Sequence, residues 1–168
     1  MPLEAQFVHK ASDGSIMVVA VLFQTAGSNP TLDKLPWKGL TPAAGKKPLQ
    51  AFDPTAVLPA KRDYYFYRGS FTTPPCTEGV KWVVLRAYQS VTAAQASAFP
   101  FSNNFRPVQP LNGRRVLVNG IKQGKAEGSH GAHAWGYGAK NGPSTWAHSF
   151  GDCAGKQQSP IDIVSSKA

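Results

Sequence analysis

Asp63–Leu85, DYYFYRGSFTTPPCTEGVKWVVL, decides how the rest of the chain is read. It opens on an aromatic run, Tyr64, Tyr65, Phe66 and Tyr67, and turns at Gly69. A hydroxyl pair, Thr72–Thr73, precedes Pro74–Pro75 and Cys76, and the stretch leaves on the mostly apolar run Val80 to Leu85. Two strand-like runs bounded by Gly and Pro read as strand, fixed loop, strand. Proline locks its own φ, so hydroxyls placed just before two prolines sit on a backbone with little freedom. Such a loop suits the wall of a site. Without a function it is simply a polar hairpin loop.

Towards the N-terminus, Glu4–His9 alternates, with Glu4, Gln6 and Val8 on one face and Ala5, Phe7 and His9 on the other. Asp13–Gly14 marks a turn, and Ile16–Phe23, IMVVAVLF, is long enough for a strand buried on both faces. The two runs across a DG turn predict a hairpin. Ser28–Lys38 carries a short-helix signal, and residues 39–61 read as surface loop with at most short strands. After the central stretch come a short helix at Thr92–Ser97, proline-punctuated coil at Phe99–Leu111 and a short strand at Arg115–Val118. Asn119–Gly131, NGIKQGKAEGSHG, has almost no apolar content and reads as a linker. His133–Phe150 is dense in Trp, Tyr and Gly, and Gln157–Val164 ends in a short strand pattern.

Composition bounds these readings. At 168 residues the chain is long enough for one domain with a real core. Its 16 Gly and 14 Pro argue for many turns and little helix. The net charge of +9 is scattered, with Lys46–Lys47, Lys61–Arg62 and Arg114–Arg115 as its paired positions, so it reads as a solvated surface. No arginine-rich run or nucleic-acid motif accompanies it. No segment is apolar for long enough to span a membrane as a helix, and MPLEAQFVHK has no signal-peptide pattern. The two cysteines, Cys76 and Cys153, belong to no metal motif; one disulfide and two buried thiols are equally consistent with their number.

Several stretches together resemble one family. SFTTPPCTEGVKWVVL is similar to the substrate-loop signature of α-class carbonic anhydrases, and NNFRPVQPLNGR to their C-terminal stretch. WGYGAKNGPSTW and CAGKQQSPIDI resemble their N-terminal stretch, and PLEAQFVHKASDG their last zinc-ligand strand. The order differs from the family's. The late segments occupy residues 1–118 and the early ones 133–168, joined across a linker at 119–132. This is the order of a circular permutation or of a junction between tandem copies. Nothing here resembles the family's central stretch, which carries its His-x-His zinc ligands and its proton-shuttle histidine.

The resemblance implies a mainly β fold, a twisted sheet with few short helices, permuted and incomplete. It implies that Thr72 orients a zinc hydroxide and Thr73 helps to position bicarbonate. Glu4 is implied to orient the group at position 6, the carboxylate–ligand–zinc arrangement. Val8, Val18, Phe71, Val80 and Trp82 are implied to wall the carbon dioxide site, with Tyr67 in the hydrogen-bond network near the threonine. For each Val and Trp, plain core packing explains the residue equally well. Cys76 and Cys153 fall where exported members of the family form a disulfide, which implies a periplasmic or extracellular source.

The departure lies at the metal. Gln6 stands where the family has histidine, and a carboxamide is a poor zinc ligand beside imidazole. His9 lies on the other face of the same strand. His130 and His133, HGAH, fall in the linker, where an ordinary exposed segment accounts for them. The expectations are therefore a carbonic anhydrase-like chain that binds no zinc and hydrates no carbon dioxide by itself, or a non-catalytic structural or binding domain. Unpaired sheet edges predict a homodimer or swapped assembly.

Overall fold

A computed structural model describes residues 1–35, 37, 52–119 and 135–163. Strands β1 (Leu3–Lys10) and β2 (Ile16–Thr25) form the expected antiparallel hairpin, in unbroken register from Leu3 opposite Phe23 to Lys10 opposite Ile16. The turn between them closes on a hydrogen bond from the Ser15 N–H to Asp13 Oδ1 (2.8 Å). Gly14 takes φ +82°, a conformation costly for any residue with a Cβ.

β3 (Tyr64–Ser70) and β4 (Glu78–Leu85) form a second antiparallel pair, and β4 lies parallel to β2. The sheet runs β1-β2-β4-β3-β6, where β6 is Leu117–Val118, and β5 (Gln89–Val91) pairs parallel with the end of β2. β5 is absent from the sequence reading because three residues, two of them polar, carry no periodicity to detect.

β2 is buried on both sides, as its continuous apolar run predicts. Val21 and Phe23 pack with Leu32, Val57, Phe66, Val83, Leu85 and Val91 on one face. Val18 and Ala20 pack with Tyr67, Val80, Trp82 and Ile161 on the other. Fully burying an aliphatic or aromatic side chain stabilises by roughly 1.5–3 kcal/mol, and the buried members of both clusters contribute on that scale.

The helices are short: α1 (Pro30–Asp33), α2 (Ala93–Ala98) and α3 (Trp146–Ser149). Thr92 and Gln95 form a reciprocal capping box at the start of α2. The Gln95 side chain also bonds the backbone of Asn29, joining the starts of α1 and α2. Two readings change. The expected loop at 52–61 contains a 3₁₀ turn, Pro54–Val57, because Asp53 caps it and Val57 supplies an apolar anchor. The expected strand at Gln157–Val164 reduces to one parallel bridge, Gln109 with Ile161. Pro160 has no N–H for a ladder, and side-chain bonds hold this segment instead.

Residues 135–163 pack against the earlier part of the chain. Trp146 is buried in a cluster with Phe150 and the Cys76–Cys153 disulfide. Its indole N–H is shared between the carbonyls of Gly136 and Asn141. The expected linker, with His130 and His133, lies outside the described residues except for Asn119. That residue is anchored: its Oδ1 accepts from the Tyr64 N–H (2.8 Å) and its Nδ2 donates to Asp63 Oδ1 (2.7 Å).

Candidate functional site

Directly opposed residues of neighbouring strands share a face. One row across the sheet is therefore Val8, Val18, Trp82 and Tyr67, and the next is Gln6, Ala20, Val84 and Tyr65. This register gathers Val18, Tyr67, Val80 and Trp82 in a single buried cluster, and Phe71 packs against it. Tyr67 and Trp82 stack at 6.1 Å with their planes 10° apart. The Trp82 indole donates to the Ser70 carbonyl (2.9 Å), which ties the cluster to the start of the loop.

Thr72 and Thr73 follow Phe71 at the rim of this cluster, both half-buried. The Cys76 N–H donates to the Thr73 carbonyl (2.9 Å), closing a turn that contains a cis Pro74–Pro75 bond. The Phe71 N–H donates to the Thr77 carbonyl, closing the loop at its base. Cys76 then fastens the loop to Cys153.

Beneath the loop lies a polar layer that sequence reasoning missed. The Tyr67 hydroxyl and Ser159 Oγ share a hydrogen bond of 3.1 Å, and Ser159 Oγ also accepts from the Ser70 N–H. The Ser159 N–H donates back to Ser70 Oγ (2.9 Å). Gln158 donates to Glu78 Oε1 and the Asp152 carbonyl, and its own Oε1 accepts from Arg106. Gly69 is required here, since a Cβ would run into Ser159 Oγ and the Tyr67 ring. The motifs holding these residues, NNFRPVQPLNGR and CAGKQQSPIDI, were visible. A lone Arg or Gln in coil carries no periodic signal to mark its burial.

Burial pushes the Tyr67 phenol well above its ordinary range; the Ser159 bond works against the rise, the nearby Glu4 carboxylate adds to it and Arg114 opposes it. Arg114 lies 6.0 Å from the Tyr67 ring centroid. Glu4 and Gln6 stand at the open margin of the same face, where Gln6 Nε2 donates to Glu4 Oε1 (2.8 Å). Desolvation raises the Glu4 carboxyl above its usual value, and the Gln6 bond lowers it in part. Val8 lies opposite Val18 on this face and leaves 57% of its surface in solvent, since among the described residues β1 has a neighbouring strand on one side only.

The described residues do not fit a zinc ion. Among the described residues, no three His, Cys, Asp or Glu side chains converge on one point. The Gln6 amide nitrogen is turned to Glu4, His9 lies on the opposite face across from Met17, and His148 belongs to α3.

The sequence model of eukaryotic-type carbonic anhydrases matches residues 4–120. The chain belongs to that family. A carbonic anhydrase of Neisseria gonorrhoeae is 45% identical over 120 residues, 69% of this chain and 47% of that protein. One of Pectobacterium carotovorum is 41% identical over 123 residues, 69% of this chain and 49% of that protein. The solved α-carbonic anhydrase of Thermovibrio ammonificans, in complex with sulfanilamide, superposes with a TM-score of 0.59 at 43% identity, covering 67% of this chain and 52% of that one. Dioscorin complexed with ascorbate shares the fold at 35% identity and a TM-score of 0.55, covering 68% of this chain and 52% of that one. The chain thus spans about half the length of the curated relatives it matches. Its mainly β, twisted sheet with few short helices is that of the carbonic anhydrase neighbours. Among the described residues, no helix is long and apolar enough to cross a membrane.

Proposed function

We propose that this chain is the substrate-loop part of an α-carbonic anhydrase and has no appreciable carbon dioxide hydration activity by itself. In an intact enzyme it supplies the hydroxyl pair Thr72–Thr73, the apolar wall of Val8, Val18, Phe71, Val80 and Trp82, and Glu4 as the orienting carboxylate. Thr72 orients a hydroxide and Thr73 positions bicarbonate. Neither hydroxyl generates a hydroxide at neutral pH, the role that a bound metal fills in such sites. One observation carries this reading: Gln6, on the same face as Val8, Val18 and Trp82, presents a carboxamide already hydrogen-bonded to Glu4. The circular order of the segments, with 1–118 and 133–168 as two parts of one domain, belongs to the same proposal. The packing of residues 135–163 onto the loop through Cys153 supports it.

The test is stopped-flow carbon dioxide hydration with and without added zinc, together with metal analysis of the purified chain. The expected result is the buffer rate and far less than one zinc per chain. Gln6→His alone is expected to leave both unchanged, because one imidazole leaves zinc mostly water-ligated. Sulfonamide-inhibited turnover with near-stoichiometric zinc overturns the reading. The disulfide supports an oxidising compartment, periplasmic or extracellular, since such bonds persist there.

A second reading, a non-catalytic binding or structural domain, is favoured by the same Gln6. Dioscorin, solved with ascorbate, has this fold. Saturable binding of a small molecule that is lost on changing Trp82 or Thr72, with no zinc present, distinguishes it.

A further inference from the structure

Phe66 and Arg68 alternate with Tyr67 along β3, so they belong to the sheet face opposite Tyr67 and Trp82. Phe66 pairs with Leu117 of β6, and that register continued by two residues brings Arg68 to Arg115. Arg68, Arg114 and Arg115 together line a groove of about 260 Å³, with Phe66, Leu117 and Gln157 as the rest of its wall. Hydrogen bonds fix that wall. Arg114 engages three of its five N–H groups on backbone carbonyls: Nε on Leu111 (2.8 Å), Nη1 on Arg68 (3.0 Å) and Nη2 on Pro110 (2.7 Å). Asn112 Nδ2 donates to the Lys156 carbonyl (2.9 Å), and the Gln157 N–H donates to Glu78 Oε1 (2.6 Å).

We propose that this groove binds a small acid that carries two carboxylates on an apolar frame. Like charges directly across a strand pair are destabilising, and a carboxylate between the Arg68 and Arg115 guanidiniums replaces that repulsion with two attractions. A guanidinium is a planar fork that takes carboxylate oxygens in pairs and stacks on flat apolar groups, so arginines suit this ligand better than lysines would. Neighbouring strands are about 4.8 Å apart, a spacing that one short ligand spans. Phe66 and Leu117 supply an apolar floor that a bare inorganic anion would leave unused. A mostly apolar concavity with a few convergent polar groups is the usual make-up of a ligand site, and this one is smaller than the roughly 300–1,000 Å³ of drug-sized sites. Glu78 is the protein carboxylate that acts on Arg114, and its Oε1 already accepts from the Gln157 N–H and from Gln158 Nε2. The groove takes no part in hydration chemistry: an inactive chain leaves this proposal intact, and failure to bind the acid leaves that reading intact.

The test is isothermal titration calorimetry of the 168-residue chain with isophthalate, in a low-salt buffer free of carboxylate and phosphate. Benzoate supplies the frame with one charge, and inorganic phosphate supplies charge with no frame. The expected result is saturable one-site binding of isophthalate, with benzoate and phosphate at least about tenfold weaker. Arg115→Gln, at an exposed position, is expected to weaken isophthalate about tenfold or more. Leu117→Ala should weaken isophthalate and leave phosphate unchanged. Lys61→Gln with Arg62→Gln removes two exposed charges before the start of β3, the end away from Arg68, and is expected to leave the affinity alone. Circular dichroism checks the fold of each variant. Absence of saturable isophthalate binding overturns the proposal. So does binding indifferent to Arg115→Gln, which places the acid elsewhere. An equal loss in the Lys61 and Arg62 variant shows that net charge and not the groove attracts the acid, and overturns it. Phosphate bound as tightly as isophthalate overturns the assignment to a carboxylate on an apolar frame.

Discussion

Arg106→Met tests whether the polar layer holds residues 146–161 on the sheet. Arg106 is only 5% exposed. Its Nη1 donates to Gln158 Oε1 (2.8 Å) and the Ser159 carbonyl (3.0 Å), and its Nη2 to the Cys153 carbonyl (2.9 Å). The guanidinium lies 5.9 Å from the Trp146 ring centroid. Methionine keeps the aliphatic stem and removes all of these bonds. A hydrogen bond to a charged group contributes about 1.5–3 kcal/mol, and a buried acceptor left unpaired costs about 1–3 kcal/mol. Relief of the desolvated charge offsets part of this; burial already pulls the Arg106 pKa down. The net expectation is a loss of about 3 kcal/mol, a large share of the roughly 5–15 kcal/mol that holds an ordinary domain. Urea unfolding followed by tryptophan fluorescence, with the disulfide intact, reads it. Gln158→Leu should be strongly non-additive with Arg106→Met, because the two share one bond. A loss below about 1 kcal/mol, or strict additivity, refutes the clamp.

Breaking the disulfide with Cys153→Ser opens a loop of 77 positions, and the chain-entropy account predicts a loss of about 4 kcal/mol, measurable as a shift in urea midpoint under non-reducing conditions. An unchanged midpoint would count against the staple. Tyr67 keeps its proton in the folded state beyond its ordinary range, while in the unfolded chain it ionises near pH 10. The unfolded state then binds fewer protons, so stability present below about pH 10 falls as pH rises further, by about 1.4 kcal/mol per unit from this residue. Tyr67→Phe should flatten that alkaline limb in pH-dependent denaturation, and an unaltered slope would show that the phenol plays no part.

The local pattern of the sequence was sufficient for the four long strands, β1 to β4, and for the faces of β1. A period of two in Glu4–His9 and a continuous apolar run in Ile16–Phe23 are direct consequences of alternating side chains and of burial on both sides. The DG turn and the Gly and Pro boundaries of Asp63–Leu85 likewise follow from backbone sterics alone. Gln6 stood out only through the resemblance, which implies a histidine at that position; the strand pattern alone marks it as an ordinary polar residue on the face of Glu4 and Val8. What only the tertiary structure decided is long-range. The parallel pairing of β2 with β4 sets Val18 beside Trp82, and nothing in either run specifies the other as its neighbour. The burial of Arg106, Gln158 and Ser159 is of the same kind: each is a polar residue in coil, and each leaves water only because residues 146–161 close over the loop and supply its partners. Val8 shows the reverse. Its alternation sets it on the face of Glu4 and Gln6 and says nothing of what covers that face; it stands 57% in solvent although its cross-strand neighbour Val18 is buried. Periodicity states which way a side chain points, whereas burial depends on what the rest of the chain places in front of it.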